Sequence, residues 1–306
     1  MKRIILLALA TLMVVASAVP AAAITQGTPD GEGHPMVGQL FFYVPDDPDP
    51  RFTTPGAWYS CTGTLISESV VLTAGHCTYG IGLDGASTLP EGSGGTDVWI
   101  TFEEYPNLDE LLAPSLSFEG DNALRYETWS AALDGDDTWI SGTATPHPQY
   151  DPASFFMADV GIVELDQAVH LDEYAELPEV GYLDGVSRDR THDKLFTPVG
   201  YGVQSLVPFY DPGGTRQWST SKLIDLRGTH GIPAGTVAKF SNNLGKKHTG
   251  GACSGDSGGP LFEQGGYLIG AITSYGISPC IGNDGAYRID KTLDLGWIQG
   301  ILDANR

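Results

Sequence analysis

Basic residues are scarce in this chain of 306 residues, where 16 Lys and Arg face 38 Asp and Glu and the formal net charge is −22 at pH 7. Because a surface this negative repels nucleic acids and anionic membranes, neither is an expected partner. Cysteine is scarce too, with four residues and no Cys-x-x-Cys pair, which excludes a common zinc-binding spacing.

Long apolar runs are absent after the N-terminal segment. Lys2 and Arg3 precede an apolar stretch that begins at Ile4, and three small residues, Ala21–Ala23, close it. This pattern is typical of a secretory signal peptide over residues 1–23. No later segment approaches the roughly 18 apolar residues that a membrane span requires. We therefore expect a secreted, extracellular protein with no membrane attachment after the signal is removed, and its cysteines are expected to form disulfides.

Glycine and proline are plentiful, with 40 and 20 residues, and they separate many short β-branched or aromatic runs. Such a pattern favours an all-β barrel or sandwich. Only Lys291–Asn305 shows the apolar spacing of a helix. The segment from Tyr79 to Trp139 has no clear period, and we interpret it as a long, acidic, partly irregular insertion.

The most informative segment reads Gly-Gly-Ala-Cys-Ser-Gly-Asp-Ser-Gly-Gly-Pro over residues 250–260. A serine such as Ser257 becomes a nucleophile only beside a base and beside donors aimed at the developing oxyanion. Gly255-x-Ser257-x-Gly259 also fits the nucleophile elbow of α/β-hydrolases, which needs a histidine after the serine. All seven histidines precede Ser257, so the elbow is excluded and the order His, Asp, Ser remains.

Two further residues are candidate partners of Ser257. His76 directly follows the β-branched run Val70–Thr73, where a ring could be held as a general base. Asp159 heads the apolar strand that ends at Leu165 and could hold a histidine N–H. Each has a bland alternative, since a histidine at a strand end and an aspartate in a turn are both common.

Taken together, the three segments Leu72–Cys77, Asp159–Leu165 and Gly255–Pro260 resemble the signature motifs of the trypsin/chymotrypsin-like serine proteases, in the same order. Cys61–Ile66 and Val199–Gly202 also match that family. The resemblance runs from about Ile24 to Asn305 and is to secreted members of a bacterial type.

The resemblance implies an all-β fold of two six-stranded antiparallel β-barrels followed by a C-terminal α-helix. Residues 24–150 would form the first barrel, with the acidic insertion at about 79–139. Residues 151–306 would form the second barrel and the helix. It also implies disulfides that join Cys61 to Cys77 and Cys253 to Cys280.

The same resemblance implies a serine endopeptidase that forms an acyl-enzyme. Ser257 would attack the scissile carbonyl, His76 would carry the proton, and Asp159 would orient His76. Ser274 would contact Asp159. The backbone N–H groups of Gly255 and Ser257 would form the oxyanion hole. No cofactor is implied, the partners would be protein or peptide substrates, and a monomer is expected.

Two alternatives remain open from sequence. A catalytically silent member of this fold would act as a binding module. A protease of narrow specificity would use the Tyr79–Trp139 insertion as an exosite or a lid.

Activation in this family generally needs a free N-terminal Ile or Val whose ammonium pairs with the aspartate before the nucleophile. Here that aspartate is Asp256, and Ile24 follows the expected signal cleavage site. We therefore expect signal removal itself to create the active N-terminus, with no separate activation cleavage.

The substrate pocket is expected to be lined by a group of small and aromatic residues, namely Gly251, Ala252, Ser274, Tyr275, Gly276 and Gly285. Gly251 stands at the position that is aspartate in trypsins, so an uncharged pocket and a large apolar P1 residue are expected. Asp284, which precedes Gly285, is the residue whose charge could reverse that preference.

Acidic residues in the insertion raise the question of a structural Ca²⁺ ion. Asp134, Asp136 and Asp137, or Glu103 and Glu104, offer oxygen ligands. We interpret them as a solvated acidic loop, and no metal is assigned.

Overall fold

The computed structural model describes residues 24–82, 94–118, 120–206, 210–228, 231–242 and 249–306, so the expected signal segment lies outside the described residues. The fourteen strands of the described part, β1 to β14, are Thr28–Pro29, Val37–Val44, Ala57–Leu65, Val70–Thr73, Val98–Thr101, Ile140–Pro146, Gly161–Leu165, Leu195–Gly200, Gln217–Trp218, Ser221–Asp225, Val237–Asn242, Pro260–Glu263, Ile269–Gly276 and Gly282–Tyr287. The α-helices there, α1 to α4, are Leu108–Leu111, Asn122–Asp134, Tyr182–Arg188 and Thr292–Ala304, and 3-10 turns lie at Gly75–Cys77, Ser115–Phe118 and Pro152–Ser154.

The first barrel closes in the order β2-β3-β4-β7-β6-β5, with every pairing antiparallel. Its interior is filled by fully buried aliphatic side chains such as Leu40, Val71 and Ile100. The boundary expected at residue 150 is wrong, because β7 at Gly161–Leu165 pairs with both β4 and β6 and closes this barrel. The first barrel therefore reaches Leu165.

The second barrel runs β8-β10-β11-β14-β13-β12 and closes where β12 pairs with β8, as at Leu261 and Pro198. The predicted class of two six-stranded antiparallel barrels is thus confirmed. Strand β1, near the N-terminus, pairs with β9, which itself pairs with β8. The segment after Ile24 is consequently attached to the second barrel.

The insertion is more ordered than its sequence indicated, because α2 occupies Asn122–Asp134 within it. Asp121 caps the helix by accepting a hydrogen bond from the Leu124 N–H. The buried residues of α2 recur at helical spacing, but two of the four are polar. They are Asn122, Arg125, Trp129 and Leu133. Polar residues in the buried stripe hid the amphipathic pattern on which a helix prediction depends.

An aromatic cluster joins this insertion to the outer face of the first barrel. Its buried members are Tyr43, Trp58, Trp99, Phe118, Trp129, Leu133 and Trp139. Arg125 is completely buried among them, 3.8 Å above the Phe52 ring and 3.1 Å from the Asp49 carboxylate. A buried cation that is paired and stacked in this way fixes the insertion against the barrel.

The predicted C-terminal helix is present as α4, Thr292–Ala304, with Ile298 fully buried, whereas α3 had no clear signal in the sequence. None of the helices in the described ranges is both long and apolar enough to cross a membrane.

Candidate active site

His76 lies in the 3-10 turn Gly75–Cys77, which directly follows β4. The adjacent Cys77 is bonded to Cys61 on β3, the pairing that the resemblance implied. The backbone N–H of His76 donates to Oδ1 of Asp159 at 2.9 Å. The turn is therefore held at both its disulfide and its backbone, which restricts the position of the ring.

Asp159 is completely buried and holds the His76 ring. Its Oδ1 and Oδ2 lie 3.0 and 3.1 Å from His76 Nδ1, and Oδ2 also accepts a hydrogen bond from Ser274 Oγ at 2.5 Å. Because a carboxylate only accepts, Nδ1 carries the proton and Nε2 is left free as a base. Burial opposes the charge on His76, but the charge and hydrogen bond of Asp159 outweigh it and raise the pKa of the ring.

Ser257 precedes β12 in a turn that packs against the end of β4. Gly258 has a φ of +78°, and a Cβ there would collide with Thr73 Oγ1, so glycine permits the close approach. Ser257 and His76 line the same cleft. No hydrogen bond joins these two described side chains, which is common in ligand-free sites because such contacts tighten when substrate binds.

Two backbone N–H groups beside Ser257 have no acceptor among the described residues. The N–H groups of Asp256, Gly258 and Gly259 donate to carbonyl oxygens of Cys253, Thr273 and Asp256, whereas those of Gly255 and Ser257 do not donate within this part of the chain. Two free donors on one turn are what an oxyanion hole requires.

Thr62, on β3, is a residue of this site that sequence reasoning missed. Its Oγ1 donates to the Gly255 carbonyl at 3.0 Å and accepts from the Tyr201 N–H at 3.3 Å. Its backbone N–H donates to the Ser257 carbonyl at 2.8 Å. The neighbouring Cys61 was the only local signal, since Thr62 and Gly255 lie 193 positions apart.

Asp256 is completely buried beneath the serine turn. Its carboxylate accepts hydrogen bonds from the N–H groups of Cys253 and Gly202, each at 2.8 Å. Burial raises its pKa to about 7, against the lowering effect of those two N–H groups and of the backbone N–H of Ile24. Ile24 is itself fully buried, so the structure brings together the two residues of the expected activation pair.

The expected substrate pocket contains a carboxylate, that of the buried Asp284. It accepts a hydrogen bond from the Ala252 N–H at 2.7 Å and one from Asn242 Nδ2 at 3.2 Å. A Cβ on Gly251 would collide with it, so Asp284 occupies the space that a side chain at 251 would fill. An acidic side chain therefore lies where the sequence predicted an uncharged floor, because β14 pairs with β13 so that Asp284 lies opposite Gly276.

The other predicted pocket residues lie on the same two strands. Ser274 reaches Asp159 as described, and the second predicted disulfide, Cys253–Cys280, links the serine turn to the segment that follows β13. The Tyr275 ring packs directly against Gly285, since a Cβ at position 285 would collide with that ring. Gly285 thus supports an aromatic wall.

Three of the five candidate calcium ligands already have protein partners. Asp134 accepts from Trp99 Nε1 at 2.8 Å, Asp136 accepts from Asn107 and Thr138, and Glu104 accepts from the Gly31 N–H. Across the described ranges, the side chains that come close enough to hold a metal ion are Cys61, His76 and Cys77, and both sulfurs there belong to the disulfide.

Comparisons with known proteins agree with this geometry. A model of the family described as Trypsin matches residues 51–98 and 133–294. A CLIP domain-containing serine protease B15 of Anopheles gambiae is 24% identical over 287 residues, which cover 89% of this chain and 67% of that relative. Chymotrypsin-like elastase family member 1 of Rattus norvegicus is 22% identical, over 74% of this chain and 71% of its own length.

Solved structures support the fold. A structure titled HL collagenase has a TM-score of 0.58 at 17% identity and covers 92% of this chain and 97% of its own. A mutant of human heparin binding protein (CAP37) has a TM-score of 0.55 at 16% identity, with the same coverage. The relatives named here come from animals, and nothing in the comparisons supports the expectation of a bacterial type.

Proposed function

The chain belongs to the trypsin family of serine proteases, and from that premise we propose that it is an endopeptidase that cleaves peptide bonds with Ser257, His76 and Asp159. The observation that carries this proposal is the buried Asp159 carboxylate, which holds Nδ1 of His76 and leaves Nε2 free, while His76 and Ser257 line the same cleft.

The chemistry follows from these positions. Ser257 Oγ attacks the scissile carbonyl while His76 Nε2 takes its proton, and Asp159 stabilises the imidazolium that results. The N–H groups of Gly255 and Ser257 stabilise the oxyanion. His76 then returns the proton to the leaving amine, and water hydrolyses the acyl-enzyme by the same sequence of transfers.

Activation is proposed to depend on release of the Ile24 amine. An ammonium at Ile24 would lie beside Asp256, whose carboxylate is buried and whose N–H partners carry no full charge. Such a pair would hold the turn that bears the Gly255 N–H. Removal of the signal peptide would supply this N-terminus in a secreted protein.

Specificity at P1 is proposed to depend on Asp284. Burial raises its pKa to about 7, although the hydrogen bonds of Asn242 and Ala252 lower it. An ionised Asp284 at the pocket floor would favour Arg or Lys at P1, whereas the protonated form would favour an apolar side chain. The test is the ratio of cleavage rates on matched Arg and Phe chromogenic substrates, measured at several pH values below and above about 7. Faster cleavage of Phe at every pH, or an unchanged ratio in Asp284→Asn, would refute the role.

A non-catalytic binding role is the second candidate, since one structure of the same fold is of a protein named for heparin binding. A net charge of −22 opposes binding of a polyanion to this chain. A fluorophosphonate probe decides between the two roles. Protein that begins at Ile24 should be labelled at Ser257, and the Ser257→Ala variant should not. Absence of labelling in folded protein would favour the binding role.

A further inference from the structure

A cleft of about 990 Å³ extends from Ser257 and His76 along β3 to the loop at residues 45–55. Its lining includes Cys61, Tyr59 and Asp47 and contains no residue of β13 or β14. On the proposed function the P1 side chain enters the pocket beside β13 and β14, which would put this cleft on the opposite side of the scissile bond. We call it the leaving-group cleft.

Strand β3 gives the length of this cleft. The Thr62 N–H contacts the Ser257 carbonyl, and Tyr59 lies three positions earlier on the same strand. At about 3.3 Å per residue this separation is about 10 Å. Since an extended peptide covers about 10 Å in three residues, a substrate residue two or three positions after the scissile bond reaches Tyr59.

Two carboxylates lie at that end of the cleft. Tyr59, 42% exposed, donates its hydroxyl to Asp47 Oδ2 at 2.7 Å, and Asp46 is exposed beside it. Neither aspartate has an ion-pair partner in the described part of the chain, where Arg51 and Arg125 both pair with Asp49. The cleft thus ends in negative charge that no described basic side chain neutralises.

The loop that carries these carboxylates is fixed before substrate arrives. The Gly56 N–H donates to the Asp47 carbonyl at 2.7 Å, and the buried Arg125 donates to the Gly56 carbonyl at 2.9 Å. A site held in this way loses little conformational freedom on binding.

Aromatic walls complete the cleft. The Phe42 and Tyr59 rings lie 6.1 Å apart between centroids, and Tyr79 and Tyr150 lie 5.6 Å apart. Such walls suit the aliphatic stem of a long basic side chain while its charged end reaches the carboxylates.

We propose that the leaving-group cleft recognises a Lys or Arg side chain two or three residues after the scissile bond, through Asp47 and Asp46. This inference rests on the proposed peptidase function, because it assigns the second half of the same substrate. Exposed acidic residues are often only solvated, but these two terminate a cleft that begins at the nucleophile.

Acyl transfer to an added acceptor peptide tests the leaving-group side of the substrate separately from the P1 side. An ester substrate forms the acyl-enzyme, which then partitions between water and an added acceptor. The acceptors are Ala-Xaa amide and Ala-Ala-Xaa amide, which place Xaa two and three residues after the scissile bond, with Arg, Gln or Glu as Xaa. The Arg acceptor should capture about fivefold more acyl group than the Gln acceptor, and the Glu acceptor less than either. The ratio of acceptors within one variant does not depend on its overall activity.

Variants make the assignment specific. Asp46→Asn and Asp47→Asn should each reduce the Arg-to-Gln ratio, and the double variant should bring it close to unity. Asp166→Asn is the matched control, because Asp166 is also bonded to a hydroxyl, that of Ser141 at 2.6 Å, but does not line the cleft. It should leave the ratio unchanged.

The outcomes separate the two proposals. Equal capture of Arg and Gln acceptors at both positions by a functioning acyl-enzyme would overturn the cleft assignment and leave the peptidase intact. An undiminished ratio in the double variant would do the same. If protein that begins at Ile24 forms no acyl-enzyme at all, both proposals are overturned.

Discussion

Asp256 should make the stability of the full chain depend on pH, and release of the Ile24 amine should remove that dependence. In the full chain, burial raises the pKa of Asp256 from its ordinary value of 3.8 to about 7. Between these values the folded protein keeps a proton that the unfolded chain has lost. Stability therefore falls as the pH rises through this window and is constant above it.

The magnitude follows from the same shift. At 1.36 kcal/mol per pH unit, a pKa that moves from 3.8 to about 7 corresponds to about 4 kcal/mol lost by neutral pH. Asp284 contributes a slope of the same sign, since its pKa is also raised to about 7, so Asp256 must be isolated by comparison. The Asp256→Asn variant of the full chain should show a distinctly smaller decline.

Protein that begins at Ile24 should behave differently. An ammonium beside Asp256 stabilises the carboxylate, so the pKa falls and the decline attributable to Asp256 disappears. Asp256→Asn should then destabilise this form by about 3–5 kcal/mol at neutral pH, because the buried ammonium loses its partner.

The measurement is urea unfolding followed by tryptophan fluorescence at several values from about pH 4 to about pH 8, with Ser257→Ala in every protein to prevent autolysis. Parallel pH profiles for the full chain and its Asp256→Asn variant would refute the reasoning. A decline in the Ile24 form as steep as in the full chain would refute it as well.

Three further predictions concern single contacts. Because the neutral His76 is the base and its pKa is raised above 6.5, kcat/KM should rise with pH through that raised pKa. Asp159→Asn should shift the midpoint of this pH profile down and lower kcat by about 10⁴-fold. An unshifted midpoint in the variant would contradict this. Thr62→Val leaves the Gly255 carbonyl and Tyr201 N–H without their partner, so kcat should fall about tenfold with KM nearly unchanged. Thr62→Ser should keep kcat close to that of the unchanged protein. A raised KM with unchanged kcat in Thr62→Val would argue against a role in the oxyanion turn. Arg125→Ala should destabilise the fold by about 3 kcal/mol in thermal unfolding while cleavage of small chromogenic substrates is retained, and an unchanged melting temperature would show that the insertion does not depend on this pair.

Local patterns were enough to identify most residues of the candidate site. His76, Asp159 and Ser257 each stand in a short motif whose residue types follow from their chemistry, and chain order removed the competing elbow. The two-barrel fold followed from the resemblance that these motifs carry. None of these inferences required knowledge of distant contacts.

The pocket floor and the domain boundary, where the sequence prediction and the structure differ, share a different cause. The charge at the pocket floor depends on Asp284, which reaches Gly251 only through the register of β13 and β14. Counting back from Ser257 cannot reveal that register. Similarly, the boundary predicted at residue 150 does not account for the pairing of β7 with β4. These two strands lie about 90 positions apart in the chain.

The candidate active site is assembled from residues of both barrels. Asp159 and His76 belong to the first barrel, whereas Ser257 and Ser274 belong to the second, and each disulfide stays within one barrel. No disulfide in the described part of the chain therefore joins the two barrels. Alignment depends instead on the Ser274–Asp159 bond, the contacts of Thr62 with Ser257 and Gly255, and the bond from Arg216 to the Phe102 carbonyl at 2.7 Å.

Arg216 extends this dependence to the N-terminal segment. Its buried guanidinium also pairs with Asp30 at 2.9 Å and donates to the Gly31 carbonyl at 2.8 Å. The segment that carries Ile24 is therefore joined to the second barrel by β1 and to the barrel interface by Arg216. An amine released at Ile24 would act on a serine turn that the first barrel already contacts through Thr62. The proposed oxyanion hole and the proposed triad would therefore respond to the same amine through one set of contacts.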